Sequence, residues 1–164
     1  FWRGSQQRAH QDTAYVTYSQ PRKFVGVWTA LEDITADSGE LEYVVGSHRT
    51  EPYLFNDQAL SVNEVRRLSP DLDMHNSVHA QLEFLDSQET KLGLERRRFL
   101  AKAGDVLIWS ALLAHGGTQI SGKRTRKSIV SHFCSGENAP LFFERKPRTV
   151  HSYNDDVSFT TNVY

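Results

Sequence analysis

The spacing of apolar and polar positions divides this chain into a strand-rich first third, a helical middle and a return to strands. Residues 13–18, rich in Tyr, Val and Thr, predict a strand. The run "KFVGVWTALED", bounded by Pro21 and Asp33, predicts a longer one. A turn follows in "TADSGE", where Asp, Ser and Gly favour turn geometry, and "LEYVVGSH" predicts another strand stopped at Gly46. The period then changes. In "NSVHAQLEFLDSQETKLG", Val78, Leu82 and Leu85 recur at i, i+4 and i+7 and build one apolar helical face, with Gly93 placed as its C-terminal cap. "SVNE" offers a capping box for a shorter helix over 61–68. Strand character returns in "RRFLAKAGDVLIWS", two β-rich runs joined at Gly104 and Asp105, and again in "TRKSIVSHF". Short strands separated by turn signals, with a helical insertion around 60–92, predict a mainly β domain of sandwich or barrel type, jelly-roll in form. No repeat or Pro/Gly-rich linker interrupts the chain, so residues 1–164 are expected to form a single domain.

Composition narrows the partners. A hydrophobic fraction of 38% is that of a folded protein, and a net charge of −1 leaves no electrostatic footprint for nucleic acid or an anionic membrane surface. The basic run Arg96–Arg98 is the exception and reads as a solvated face. No apolar stretch approaches the length of a membrane span. The single cysteine, Cys134, excludes an internal disulfide, reads as a small buried side chain, and sets a cytoplasmic location as the default. A small-molecule partner is therefore expected, and oligomeric state is left open.

The chemistry begins with "RAHQDTAYV". In a strand, residues i and i+2 share a face, so His10 and Asp12 can reach one metal ion while Gln11 points away. A third ligand has candidates in His48, His75, His79, His115, His132 and His151. His75 and His79 have helical ligand spacing but polar surroundings, and read as surface residues; His151 lies in a polar tail, and His48 shapes a loop after a strand. His115 differs, because it follows the apolar run "DVLIWSALLA" and precedes Gly116-Gly117, which allow close approach of backbone or ligand. A further strand carries Arg126 with Ser128 on the same face. Two His and one carboxylate would occupy one face of an iron and leave three positions open, as in non-haem Fe(II) oxygenases. Those positions suit a chelating 2-oxo acid and dioxygen, and the far carboxylate of such an acid suits the planar, permanently charged fork of Arg.

Taken together, "HQD", Trp28 within "VGVWTALEDITADSGELEYVVGSH", "GDVLIW", "AHGG" and "RKSIVSHF" resemble the phytanoyl-CoA dioxygenase family of Fe(II)/2-oxoglutarate-dependent oxygenases, over residues 8–134 and in family order. The resemblance implies a double-stranded β-helix in which His10, Asp12 and His115 hold Fe(II) and Arg126 pairs with 2-oxoglutarate. It places Trp28 as an aromatic wall beside that cosubstrate, gives Ser128 a second hydrogen bond to it, and makes the small Gly26 and Ala30 room for a ligand. The implied reaction uses O2, releases succinate and CO2, and hydroxylates a small organic molecule; the carboxylate at Asp12 disfavours halogenation. Family members carry a substantial segment before the His-x-Asp motif, whereas nine residues precede His10 here. The expectation is thus one Fe(II)/2-oxoglutarate oxygenase domain without its usual N-terminal portion. The rival reading is a non-catalytic, cupin-like module that binds a metal or small ligand. His132 shares alternation with Arg126 and Ser128 and reads as a hydrogen-bonded barrel histidine, while Tyr15 and Thr17 lie where substrate contact is conceivable.

Overall fold

A computed structural model describes residues 6–141, 150–152 and 158–160. Its strands are β1 (Gln7–His10), β2 (Phe24–Ala30), β3 (Leu41–Val44), β4 (Arg96–Phe99), β5 (Val106–Ser110), β6 (His115–Gly117), β7 (Ser128–Cys134), β8 (Val150–Ser152) and β9 (Ser158–Thr160). Two helices, α1 (Val62–Leu68) and α2 (Met74–Leu92), fall between β3 and β4. One sheet has the order β1-β6-β3-β4 and the other β5-β2-β7, with every pairing antiparallel; β8 and β9 form a separate hairpin. Successive strands alternate between the two facing sheets from β1 to β3 and again from β4 to β7, while β3 and β4, joined through the helices, are neighbours in one sheet; this is the double-stranded β-helix.

The alternation of β2 explains why it lies at the centre. Phe24, Gly26, Trp28 and Ala30 are buried, while Val25, Val27 and Thr29 on the other face are only partly covered. Its inner row meets Leu41 of β3 and Phe99 of β4 across the gap, so Trp28, Ala30, Ile34, Leu41, Ala101 and Trp109 form the core between the sheets. Each large side chain buried there contributes roughly 1.5–3 kcal/mol.

Both helices form where sequence places them. Ser61 caps α1 by accepting from Asn63 N at 3.3 Å. Asp73 caps α2 by accepting from Asn76 N at 3.0 Å, and Gly93 ends it with φ +59°. Leu85 packs with Val44 and Ala114 against the four-stranded sheet. Arg8 of β1 reaches Glu83 and Asp86 of α2 at 2.9 and 2.6 Å, and Arg96 bridges Glu42 and Glu89. These pairs orient the helix more than they stabilise it, since exposed ion pairs contribute little. The basic run is therefore a solvated, ion-paired face, with Arg97 on Glu95 and Arg98 on Glu40. None of the helices is long and apolar enough to cross a membrane, among the described residues.

Two expectations fail locally. The strand over 13–18 is absent: a 3-10 turn spans Asp12–Ala14, and Tyr18 forms an isolated bridge with Pro140 rather than part of a ladder. The Asp12 carbonyl accepts from Tyr15 N and Val16 N, which coils the backbone that a ladder would need extended. Cys134 is exposed rather than buried, because it ends the edge strand β7; its thiol donates to Asn138 O at 3.2 Å.

Candidate metal centre

The site starts where β1 ends. Gln11 is extended (φ −106°, ψ 136°), which keeps the side chains of His10 and Asp12 on one side although Asp12 already belongs to the turn. Strand alternation thus operates for a single step, not along a continuous strand. Gln11 points away as expected and anchors the corner, its Nε2 donating to Leu112 O at 2.7 Å in the interior. His115 opens β6, in register opposite His10, with ring centroids 4.6 Å apart. Gly116 permits this pairing. A Cβ there would lie 2.4 Å from Gln7 O, so the backbone of β1 runs directly over it.

Ligand-competent atoms of His10, Asp12 and His115 all lie within 4.8 Å of one another, and the three residues are buried. Their other polar atoms are engaged. His10 Nδ1 is 3.0 Å from Arg8 O and His115 Nδ1 is 2.9 Å from Leu113 O, so each Nδ1–H donates to a carbonyl and each Nε2 keeps its lone pair. Asp12 Oδ2 accepts from Trp109 Nε1 at 2.8 Å, while Oδ1 lies 3.6 Å from His115 Nε2. His132 Nε2 approaches Asp12 Oδ2 to 3.3 Å without hydrogen-bond alignment. It supports the carboxylate electrostatically and stands outside the three-residue cluster.

Charge states follow from this environment. Burial, reinforced by the nearby His115, pushes His10 down to about 4, so its imidazole is neutral at physiological pH. Burial pushes the Asp12 carboxyl up, but His132, His115 and the Trp109 indole together outweigh it and leave it below its ordinary value. Neutral imidazole and carboxylate donors, each held by a second partner, suit a divalent transition metal.

Arg126 sits two residues before β7, half-buried, with Nη1 donating to the Gly39 carbonyl. Burial pushes the guanidinium down and the charge of Glu40 pushes it back up. Glu40 itself is fully buried and gives Oε1 to Arg98 at 3.0 Å. Ser128 pairs with Ala30 in register, one step further along the same row. Trp28 is 2% exposed and packs edge-on to Phe99 at 5.8 Å, wholly within the core between the sheets.

The room expected at Gly26 and Ala30 is filled. A Cβ on Gly26 would meet Trp109 Cε2 at 2.4 Å, and Ala30 is 1% exposed. Trp109 is the residue sequence reasoning left unassigned, although it ends the "GDVLIW" motif; only the register of β2 against β5 sets it opposite Gly26. His75 and His79 are exposed on α2, His48 lies in a 3-10 turn over Ser47–Arg49, and His151 is exposed in β8. Tyr15 stands edge-on to His10 at 5.5 Å, half-buried, while Thr17 is buried against Ser61 at 2.8 Å and holds structure.

Fold and site together define a double-stranded β-helix protein with a buried His–Asp–His cluster drawn from β1, the turn that follows it and β6. The chain belongs to the phytanoyl-CoA dioxygenase (PhyH) family, whose model matches residues 3–128. Human peroxisomal phytanoyl-CoA dioxygenase is 27% identical over 130 residues, 78% of this chain and 33% of the relative. The Bos taurus counterpart is 26% identical over 126 residues, 76% of this chain and 32% of the relative. The chain thus spans about one third of the length of these curated relatives. Among solved structures, the epimerase SnoN in complex with Fe3+, alpha ketoglutarate and nogalamycin RO superposes with a TM-score of 0.55 at 17% identity, over 83% of this chain and 45% of that one. EvdMO1 gives 0.50 at 22% identity, over 82% and 24%.

Proposed function

We propose that this chain forms the metal- and cosubstrate-binding core of an Fe(II)- and 2-oxoglutarate-dependent dioxygenase that hydroxylates an unactivated C–H bond of a small organic molecule. The observation that carries the reading is the buried convergence of His10, Asp12 and His115, each with its other polar atom already engaged. Membership of the family supports it. When bound, iron(II) with 2-oxoglutarate and O2 supplies the oxidising power, with succinate and CO2 as products.

The residues' own parts follow from their contacts. His10 and His115 present Nε2 with the proton held on Nδ1, so metal binding displaces no proton from them. Asp12 supplies the negative charge and presents Oδ1, because Oδ2 is held by the Trp109 indole. Arg126 receives the remote carboxylate of 2-oxoglutarate. Its guanidinium is half-buried and hydrogen-bonded to a backbone carbonyl, and the buried Glu40 acts on it without a salt bridge among the described residues, so its fork is available to an anion. Ser128 offers a hydroxyl one step further along that row, and Trp28 walls the interior beside it.

Anaerobic addition of Fe(II) and 2-oxoglutarate should produce the visible charge-transfer band of the chelate, and a folded protein that gives none would refute the reading. Asp12→Ala should abolish succinate formation, with or without substrate. Retained turnover in that variant would remove Asp12 from the metal assignment, whereas a folded wild type that binds metal but forms no succinate would favour the cupin-like binding module.

A further inference from the structure

We propose that Trp109 is a positioning residue for the metal site, and that Gly26 is glycine in order to admit its indole. The inference rests on the proposed metal assignment and concerns how the protein restricts Asp12. Trp109 touches two of the three cluster residues: its Nε1–H donates to Asp12 Oδ2 at 2.8 Å, and its ring lies over His115 with centroids 4.5 Å apart at 45°. It is 4% exposed, so neither contact is shared with solvent. Across the ladder, Gly26 pairs with Trp109, and a Cβ there would stand 2.4 Å from Cε2 and 2.6 Å from both Cζ2 and Nε1. The atoms that would clash include the one that binds Asp12. Any side chain at position 26 therefore evicts the donor itself.

This arrangement has a chemical consequence. A carboxylate can bind a metal through one oxygen or both. With Oδ2 held by the indole and faced by His132, Asp12 offers Oδ1 alone, on the side of His115 Nε2. One-oxygen binding by Asp12 would leave more of a bound ion open to a chelating cosubstrate and dioxygen than two-oxygen binding would. Trp109 would thereby limit Asp12 to one ligating oxygen without being a ligand itself.

The test separates this inference from the functional reading. In the metal-free protein, the indole N–H resonance of Trp109, assigned by its loss in Trp109→Phe, should exchange slowly with solvent and move in Asp12→Asn. A resonance indifferent to Asp12→Asn would overturn the contact. Cobalt(II) titration followed by absorption should show binding weakened about 10–100-fold in Trp109→Phe, with an altered visible spectrum, as for other residues that orient a ligand. Gly26→Ala should do the same, and the double variant should be no worse than the poorer single one. Wild-type cobalt affinity and spectrum in a folded Trp109→Phe protein would refute the positioning role. A wild type lacking the Fe(II)/2-oxoglutarate charge-transfer band would instead refute the proposed oxygenase, while the cobalt comparison still decides Trp109.

Discussion

Replacing Gly116 by Ala should separate the two halves of the metal cluster. The added Cβ would lie 2.4 Å from Gln7 O and 3.1 Å from Ala9 N, a full ångström inside the 3.4 Å at which ordinary contact with that oxygen begins. Both opposing atoms are backbone, so no rotamer change relieves the clash, and β1 must lift away from β6. Overpacking of this kind costs about 1–3 kcal/mol. Lifting β1 also moves His10, which faces His115 in register across the same strand pair, with 4.6 Å between ring centroids. Metal binding should weaken at least about tenfold, since every 1.4 kcal/mol lost is a factor of ten. Urea denaturation of the metal-free variant would read the first effect, and cobalt(II) titration the second. Gly136→Ala is the control: its Cβ meets nothing within 4 Å, and its stability should stay within about 0.5 kcal/mol of wild type. If Gly116→Ala matched that control in both measurements, the close passage of β1 over β6 would not be what brings the histidines together.

Arg126→Lys keeps the charge but loses the fork, so half-saturation by 2-oxoglutarate should rise about tenfold while metal affinity is unchanged; an unaltered 2-oxoglutarate dependence would exclude Arg126 as the carboxylate receptor. His10 has a folded-state value of about 4 against 6.5 unfolded, so the unfolded chain takes up the proton first as pH falls. Metal-free stability should accordingly be lost between pH 6.5 and 4, by about 3 kcal/mol, and His10→Gln should flatten that slope in denaturation measured against pH. Leu85→Ala removes the side chain that docks α2 on Val44 and Ala114, at a cost of about 2–5 kcal/mol in urea midpoint analysis; a loss below about 1 kcal/mol would show that the ion pairs, not this contact, hold the helix.

Local patterning determined much of this protein. The period of Val78, Leu82 and Leu85 and the cap residues Ser61, Asp73 and Gly93 suffice for the helices, because helical periodicity and end chemistry are short-range. Strand periodicity likewise placed Gly26, Trp28 and Ala30 on one face of β2, and that face is the buried one. The motif residues His10, Asp12 and His115 were legible as types and spacings, and the fold gathers them. Only the tertiary structure decided the rest. The turn at Asp12 depends on backbone acceptors that compete with an extended strand, which residue propensities at 13–18 do not reveal. Whether the space at Gly26 belonged to a ligand or to protein depended on the register of β2 against β5, and it went to Trp109. The same register, joined to the crossing of β1 over Gly116, sets which Asp12 oxygen is engaged and which is left to face His115. Sequence periodicity reports what each strand buries, but contact between strands far apart in the chain is settled by packing, where a single Cβ or one hydrogen bond changes the outcome.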